Sequence, residues 1–296
     1  MQPPTLAAPC LFGWAVRSAG FNEPSVMSSP DASIAAGAPI RIAEPVVQQA
    51  GGGLIRATPT SSSLYGFAFN GLTNPLPSSI AVAPKTRYLG QANNPYVSQF
   101  YTADPSQNVF TGRIVGTTSL ALIGQQHDLA YAVSAGPAPT VTPEGTTGST
   151  SYTYKVTAVT QAGESLVGTG GSTTSGNATL SSTNYNQIAV TALDDETFVL
   201  AYNLYRTAGG GSQGLVGSYS GQLGANTWTF KDVGIVATVT NPSVNSSGWL
   251  INDGASSENV VQIIGLSSLD PVGTLHGRVE FFVPVSASQY LSVGGN

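Results

Sequence analysis

Charged side chains are scarce in this chain of 296 residues, which has 10 Lys and Arg and 15 Asp and Glu. An ordinary soluble domain has roughly 25 % charged residues, about three times the 8 % found here. Ten basic residues and a formal net charge of −5 give no positive surface for nucleic acid, so we expect no nucleic-acid partner. Long amphipathic helices are disfavoured as well, because Glu, Lys and Gln are too few to cover their wet faces.

Cysteine and long apolar runs are also lacking. Cys10 is the single cysteine, so neither an intramolecular disulfide nor a cysteine-based metal cluster is expected. No run of about 20 apolar residues occurs, which predicts that no segment spans a membrane. The apolar stretch 5–16 has no basic segment before it and is interrupted by Pro9, so we do not interpret it as a signal peptide. We expect synthesis in a reducing cytoplasm.

Small polar and apolar residues dominate instead: the chain has 35 Gly, 34 Ser and 30 Thr, and 41 % of it is hydrophobic. Apolar runs of four to six residues are separated by Gly, Pro and Ser clusters, a pattern typical of a small β-barrel or β-sandwich. We therefore predict an all-β fold. In the outer parts of the chain the predicted strands are 39–42, 54–58, 64–68, 96–101, 109–115, 120–123, 129–133, 247–251, 260–266 and 277–285.

Residues 137–240 have a different character. The Pro- and Gly-rich stretch 137–148 reads as a linker. In the strand that follows, alternation puts Tyr152, Tyr154, Val156 and Ala158 on one face, as in a strand half buried on a core. Turn signals every 8–12 residues and a set of core aromatics favour an immunoglobulin-like or fibronectin-like sandwich. The predicted organisation is an N-terminal arm (1–32), a base β domain in two parts (33–136 and 241–296) and an inserted domain (137–240).

The N-terminal arm contains five prolines and shows no periodicity long enough for a packed element. It nevertheless carries an apolar patch that disordered tails rarely have. Two interpretations stay open at this point, a disordered terminus and an arm that docks onto a neighbouring subunit. The candidate contact residues are Leu11, Phe12, Trp14 and Val16.

Catalytic and metal-binding patterns are weak, and we predict no enzyme activity, no cofactor and no metal. A dyad of His127 and Asp128 is disfavoured because adjacent residues of a strand face opposite sides, so His127 is expected at the surface or in a loop. His276 is expected in an exposed turn. The acidic group Asp194, Asp195 and Glu196 lacks the spaced pattern of a calcium loop and is expected to be an exposed turn.

Several segments of the outer parts resemble phage head-decoration proteins, also called capsid cement proteins. The residues that carry the resemblance are 37–40, 53–58 and 66–68, then Ser247-Gly248-Trp249, the VQIIGL strand at 261–266, Asp270-Pro271 and 277–281. The resemblance implies a virion protein on the capsid exterior, made in the host cytoplasm. It also implies the major capsid protein and further copies of the chain as partners, in a homotrimer at lattice threefold positions, with the arm as a capsid contact.

The insert resembles fibronectin type III-like modules of phage structural proteins, through 177–181, 184–186, 202–210 and 230–234. The strand pair 151–165 precedes the NLYRTAGG strand, whereas such modules usually have it afterwards, so a circular permutation stays open. We expect the insert to project outward and to make a weak host-surface contact. The alternatives are a tail-tube protein and a tail or fibre adhesin, for which the candidate glycan-binding aromatics are Tyr185, Tyr202, Tyr205 and Trp228.

Overall fold

The computed structural model describes residues 13–17, 26–29, 44–48, 54–68, 98–106 and 108–289. The chain is almost entirely β, which confirms the predicted fold class. Two compact units are distinguished: unit 1 contains Tyr131–Gly248, and unit 2 contains Cys10–Ala130 and Trp249–Asn296. The predicted insert begins at 137 and ends at 240, so unit 1 extends further at both ends.

The strands of the described residues are numbered here in chain order. They are β1 (Gly13–Arg17), β2 (Val26–Ser29), β3 (Pro45–Gln48), β4 (Leu54–Arg56), β5 (Gly66–Ala68), β6 (Ser98–Thr102), β7 (Val109–Arg113), β8 (Gln126–Tyr131), β9 (Thr140–Glu144), β10 (Thr150–Val159), β11 (Gly171–Gly176), β12 (Tyr185–Thr191), β13 (Ala201–Ala208), β14 (Gly214–Ser220), β15 (Thr227–Asp232), β16 (Trp249–Asn252), β17 (Val261–Leu266) and β18 (Arg278–Phe282).

Unit 2 is built from two sheets, and the six-stranded sheet combines early and late parts of the chain. The six-stranded sheet has the order β1-β7-β18-β17-β8-β16, and the five-stranded sheet has the order β2-β6-β5-β3-β4. Three phenylalanine rings join them: Phe67 of β5 lies 4.5 Å from Phe110 of β7 and 5.9 Å from Phe281 of β18, between ring centroids. Because each ring buries a large apolar area, this cluster holds the two sheets together.

Unit 1 is a sandwich of a four-stranded sheet, β11-β10-β13-β14, and a three-stranded sheet, β15-β12-β9. Its core contains Tyr152, Tyr154, Val156 and Ala158, each 0 % exposed, so the predicted inward face of β10 is confirmed. Trp228 and Phe230 of β15 pack against the same core while remaining partly exposed. The period of two in the sequence thus identifies which side chains fill the space between the sheets.

Two segments that were predicted to be irregular contain strands in the structure. The linker prediction for 137–148 is wrong at Thr140–Glu144, which is β9 and pairs with β12. Pro143 is tolerated there because β9 is the outer strand of its sheet, where a missing N–H breaks no ladder. The expectation of no packed element in 1–32 is wrong for β1 and β2, since β1 pairs with β7 and β2 with β6.

One predicted strand is a turn. Leu120–Leu122, expected within a strand at 120–123, forms a single 3₁₀ turn that the Ser119 hydroxyl caps by accepting a hydrogen bond from the Ala121 N–H. The backbone N–H of Ile123 closes the turn on the carbonyl of Leu120, 3.2 Å away. Leu120 and Ile123 are left exposed, so an apolar run that resembles a buried strand lies at the surface.

Candidate binding surface

The predicted arm residues are divided between described and undescribed parts of the chain. Trp14 and Val16 belong to β1, whose backbone pairs antiparallel with β7, from Gly13 opposite Thr111 to Arg17 opposite Val109. Leu11 and Phe12 lie outside the described residues. Their predicted contact with a capsid stays a prediction.

His127 is buried in β8, so the expectation of a surface or loop position is wrong. Its side chain is 6 % exposed, and neither ring nitrogen has a hydrogen-bond partner among the described residues. Burial lowers the pKa of His127 below its ordinary value, and the nearby carboxylate of Asp253 offsets only part of that effect. The imidazole is therefore neutral at pH 7.

Asp128, the next residue, is hydrogen-bonded to a loop of the same unit. Its carboxylate accepts hydrogen bonds from the Ser257 hydroxyl and from the backbone N–H groups of Ser257, Glu258 and Asn259 at 2.8–3.1 Å. Burial alone would raise the pKa of Asp128, but these hydrogen bonds outweigh it and hold the pKa below its ordinary value. Asp128 therefore fixes the 257–259 loop.

His276 is 3 % exposed, so the expectation of an exposed turn residue is wrong. It adopts a left-handed backbone conformation with φ of 51°, and its N–H donates to the carbonyl of Gly116 at 2.8 Å. Its Nδ1 lies 3.2 Å from the carbonyl oxygen of Ile114. His276 thus joins two loops of unit 2 that are distant in sequence.

Thr118 is the second residue that joins these loops, and it is 1 % exposed. Its hydroxyl donates to the carbonyl of Pro271 at 2.8 Å and accepts from the N–H of Thr274 at 2.9 Å. Its own N–H and carbonyl bond to Thr274 and Gly273. Because every polar group of Thr118 has a hydrogen-bond partner, the loop at Thr118 and the loop at 271–276 are held together as one body.

Four large aliphatic side chains stand on the outside of this body. We name the set the apolar loop surface: Leu120, Leu269, Val272 and Leu275, which are 66, 70, 59 and 58 % exposed. Residues 115–124 contain no charged residue, and Asp270 is the one acidic residue in 264–277. Large exposed apolar patches often mark sites of contact with other proteins, whereas single exposed apolar side chains are ordinary.

The charge of Asp270 is neutralised beside the apolar loop surface. Arg278 Nε lies 2.7 Å from Asp270 Oδ2, and Arg278 Nη2 lies 3.1 Å from Asp270 Oδ1. Hydrogen bonding by Arg278 holds the pKa of Asp270 below its ordinary value. The patch is therefore apolar and without an unpaired acidic group.

Two of the four aromatic residues considered for glycan binding are buried, and Tyr185 and Trp228 are partly exposed. Tyr202 and Tyr205 are 0 and 2 % exposed. The hydroxyl of Tyr205 donates to Glu164 Oε1 at 2.7 Å, and that of Tyr202 donates to the carboxylate of Glu196. These tyrosines stabilise the sandwich and are not available to a sugar.

The acidic group at 194–196 is partly structural. Asp194 and Asp195 are exposed, as predicted, but Glu196 is half-buried. Besides Tyr202, its carboxylate accepts from the N–H groups of Leu223 and Gly224, at 2.9 and 2.6 Å. In the part of the chain that the structure describes, no group of three or more His, Cys, Asp or Glu has a metal-binding arrangement.

A buried ion pair in unit 1 was not predicted from the sequence. Arg206 Nη1 lies 2.5 Å from Asp232 Oδ2, and the two side chains are 2 and 0 % exposed. The Tyr154 hydroxyl donates to the same oxygen at 2.7 Å, and Asn186 donates to Tyr154 at 3.0 Å. Burial and the Asp232 charge raise the pKa of Tyr154, so it remains a donor. The sequence signal that could have indicated this ion pair is a charged residue, Arg206, inside a strand whose side chains alternate between two faces.

No protein-family model matches the chain, and neither the curated proteins nor the solved structures contain a significant match. Within the described residues, no helix is both long enough and apolar enough to cross a bilayer.

Proposed function

We propose that the chain is a structural virion protein that binds the outer surface of a phage capsid and stabilises it. The observation that carries the proposal is the apolar loop surface, an uncharged display of exposed leucine and valine in unit 2. Such a patch fits contact with another protein, because apolar side chains and few charges mark the centres of protein interfaces. The sequence resemblance to decoration proteins supports the same role.

Stabilisation of the capsid follows from the thermodynamic linkage between binding and assembly. A protein that binds the assembled shell and not its separate subunits shifts the equilibrium toward the shell by mass action. Many copies that each bridge neighbouring subunits add a multivalent gain to a weak single contact. No catalytic group is needed for this function.

The insert fits the role of a displayed module. The chain leaves unit 2 at the end of β8 and returns at β16, and these strands are neighbours in the six-stranded sheet. Insertion between neighbouring strand ends is tolerated because it leaves the parent sheet intact. In this proposal unit 1 is carried on the shell and makes at most a weak host contact.

Binding to heads tests the proposal directly. The purified chain is mixed with expanded, empty phage heads that lack it, and the pellet after sedimentation is quantified. We expect saturable binding and a higher melting temperature of the heads by calorimetry. Isolated tails and host cells, mixed with the chain in the same way, are the matched controls.

Three outcomes would overturn the proposal. Binding to tails alone would favour a tail-tube protein, and binding to cells alone would favour an adhesin. Saturable binding to heads without a change in their melting temperature would leave attachment but remove the stabilising role.

A further inference from the structure

We infer that Arg113 and Arg278 of unit 2 form a binding site for a carboxylate group of a partner protein. The two residues lie directly opposite each other on β7 and β18, and both are partly exposed. The site deepens the proposed function and rests on it for the identity of the partner, an Asp or Glu side chain of the shell protein.

The two arginines place like charges side by side. Directly opposite residues of an antiparallel pair have Cβ atoms about 4.5–5.5 Å apart, and like charges there are destabilising. Burial and then the charge of Arg278 lower the pKa of Arg113, and the charge of Asp270 offsets part of that effect. Arg113 stays protonated, because a guanidinium does not lose its proton in proteins. An anion held between the two groups relieves their repulsion.

Arg113 has no carboxylate partner of its own. The structure describes four arginine side chains, and three of them form ion pairs: Arg56, Arg206 and Arg278. Arg113 instead donates through Nη1 to a neutral group, the carbonyl of His276, at 2.8 Å. Both carboxylate oxygens of Asp270 are bonded to Arg278. One carboxylate beside two guanidinium groups leaves a local excess of one positive charge.

Glu280 does not supply the missing negative charge. It lies on β18, two residues after Arg278 and therefore on the same face of the sheet. Its carboxylate leans over β17, since a Cβ at Gly265 would lie 3.6 Å from Glu280 Oε2. β17 and β7 flank β18 on opposite sides. The carboxylate of Glu280 is thus directed away from Arg113.

Hydrogen-bond donors remain for an incoming group. Arg278 holds Asp270 with Nε and Nη2, and the same two atoms of Arg113 have no hydrogen-bond partner among the described residues. Arg113 Nε and Nη2 and Arg278 Nη1 also are not among the buried unpartnered atoms, so they reach solvent. This edge of a guanidinium is a rigid planar fork that matches a carboxylate in two parallel hydrogen bonds. Arg113 can therefore hold a carboxylate as Arg278 holds Asp270.

The charge of the site favours a carboxylate over a phosphate. A carboxylate carries one negative charge, which balances the local excess of one positive charge. A phosphate group carries about −1.5 to −2 at neutral pH, which overshoots that excess beside the carboxylate of Asp270. Proteins present singly charged anions as Asp and Glu side chains, so an acidic protein surface is the partner that fits.

Binding of a hexaglutamate peptide to the full chain tests the inference. Isothermal titration calorimetry at low salt measures the dissociation constant, which Arg113→Gln should raise about tenfold. Lys155→Gln removes the same charge from unit 1 and is the matched control, for which we expect no change. Added salt should weaken the binding of the peptide to the wild type, because exposed charges are screened.

Asp270→Asn distinguishes anion binding from a structural role of the arginines. The substitution leaves two guanidinium groups without a carboxylate, so the peptide should bind about tenfold more tightly. A structural role predicts no gain of binding in this variant. Arg113→Lys keeps the charge but loses the planar fork, so its affinity should lie between those of the wild type and Arg113→Gln.

Thermal unfolding checks that each variant is folded, and Arg113→Lys replaces Arg113→Gln if the latter does not fold. A wild type that does not bind hexaglutamate would overturn the inference. So would a folded Arg113→Gln variant that binds the peptide like the wild type. Tighter binding of inorganic phosphate than of hexaglutamate, at equal ionic strength, would also overturn it and assign the site to phosphorylated ligands.

Head binding separates this inference from the proposed function. Heads that bind Arg113→Gln as they bind the wild type would refute the carboxylate contact and leave the proposed function standing. Peptide binding that depends on Arg113, in a chain that does not bind heads, would keep the carboxylate site and refute the proposed function. Weaker head binding by Arg113→Gln and tighter head binding by Asp270→Asn would support both.

Discussion

At the residue scale, the ion pair between Arg206 and Asp232 is more deeply buried than the pairs Arg56–Glu44 and Arg278–Asp270 of the described residues. Removing two charges from water is costly, and the cost is offset only when every remaining donor and acceptor is satisfied. Arg206 also donates to the carbonyls of Ser212 and Ile235, and Asp232 accepts from the N–H groups of Gly234 and Ile235. The pair thereby joins the turn after β13 to the segment that follows β15.

Asp232→Asn should destabilise unit 1 strongly. The substitution leaves the guanidinium of Arg206 buried without its counter-charge, which typically costs about 3–5 kcal/mol. Urea unfolding followed by circular dichroism measures the loss. The control is Lys231→Met, which removes only a cation over the ring of Tyr185, 4.7 Å from its centroid, and should cost less than about 1 kcal/mol. Equal losses in the two variants would contradict the role given to the pair.

The burial of His127 predicts a pH-dependent stability of unit 2. Because the folded state holds the pKa of His127 below 6.5, the unfolded chain binds more protons as the pH falls through that value. Stability conferred by the neutral ring is present above pH 6.5 and is lost as the pH falls toward the lowered pKa. Thermal unfolding from pH 8 to pH 3 should show this loss, and His127→Leu should abolish it.

Asp128 and Asp270 provide an internal control for the His127 experiment. Their pKa values lie below 3.8 in the folded state, so their contributions are present above that pH and are lost only at lower pH. The variant should therefore keep the decline in stability below about pH 4. A variant that retains the whole pH dependence of the wild type would show that His127 is not its source.

At the element scale, glycine determines how the hairpin of β13 and β14 turns. Gly209 and Gly210 follow β13 with φ of 79° and 70°, a left-handed conformation that L side chains rarely adopt. A Cβ at Gly209 would lie 2.3 Å from the carbonyl oxygen of Ser151 and 2.6 Å from the ring of Tyr152. A run of three glycines between two strands favours a hairpin tip, but the close approach of β10 to this turn is visible only in the fold.

Gly209→Ala should destabilise unit 1 by more than the roughly 1–2 kcal/mol that left-handed backbone costs a non-glycine residue, because a backbone clash is added. Gly211→Ala is the matched control two residues later, where a Cβ would meet nothing within 4 Å. We expect its urea midpoint to equal that of the wild type or to rise slightly. If Gly209→Ala were equally neutral, the described turn would be wrong.

The order of strands in unit 1 leaves the proposed permutation open. β10 pairs with β13 along most of its length, from Thr153 opposite Ala208 to Val159 opposite Ala201. Antiparallel neighbours make the same ladder whichever comes first in the chain. The pairing of β10 with β13 is therefore compatible with either order of the two strands along the chain.

At the scale of the whole molecule, the extent of unit 1 depends on its two chain ends. The Ala132 N–H donates to the carbonyl of Gly248 at 2.8 Å, so the ends lie side by side. Asn245 Nδ2 donates to the carbonyl of Val133 at 2.8 Å, and the Ser247 hydroxyl donates to the same carbonyl at 2.7 Å. These contacts all lie outside the predicted insert boundaries.

Unit 1 expressed as residues 131–248 should fold alone, and a fragment 137–240 should be less stable by several kcal/mol. The shorter fragment loses Val133 from the core and the hydrogen bonds of Asn245 and Ser247. Far-UV circular dichroism and urea unfolding compare the two. Equal stability of the two fragments would show that residues 131–136 and 241–248 contribute nothing to the stability of unit 1.

Replacing 133–247 by a short Gly/Ser linker should leave unit 2 folded.

The sequence by itself determined the all-β class and the inward face of β10, because both follow from local composition and a period of two. It could not determine the burial of His127 and His276 or the pairing of Arg206 with Asp232. Nor could it bring Thr118 to Pro271, 153 positions away, and so create the apolar loop surface. Those features depend on which distant segments meet, and that is decided only when the sheets of each unit close on their cores.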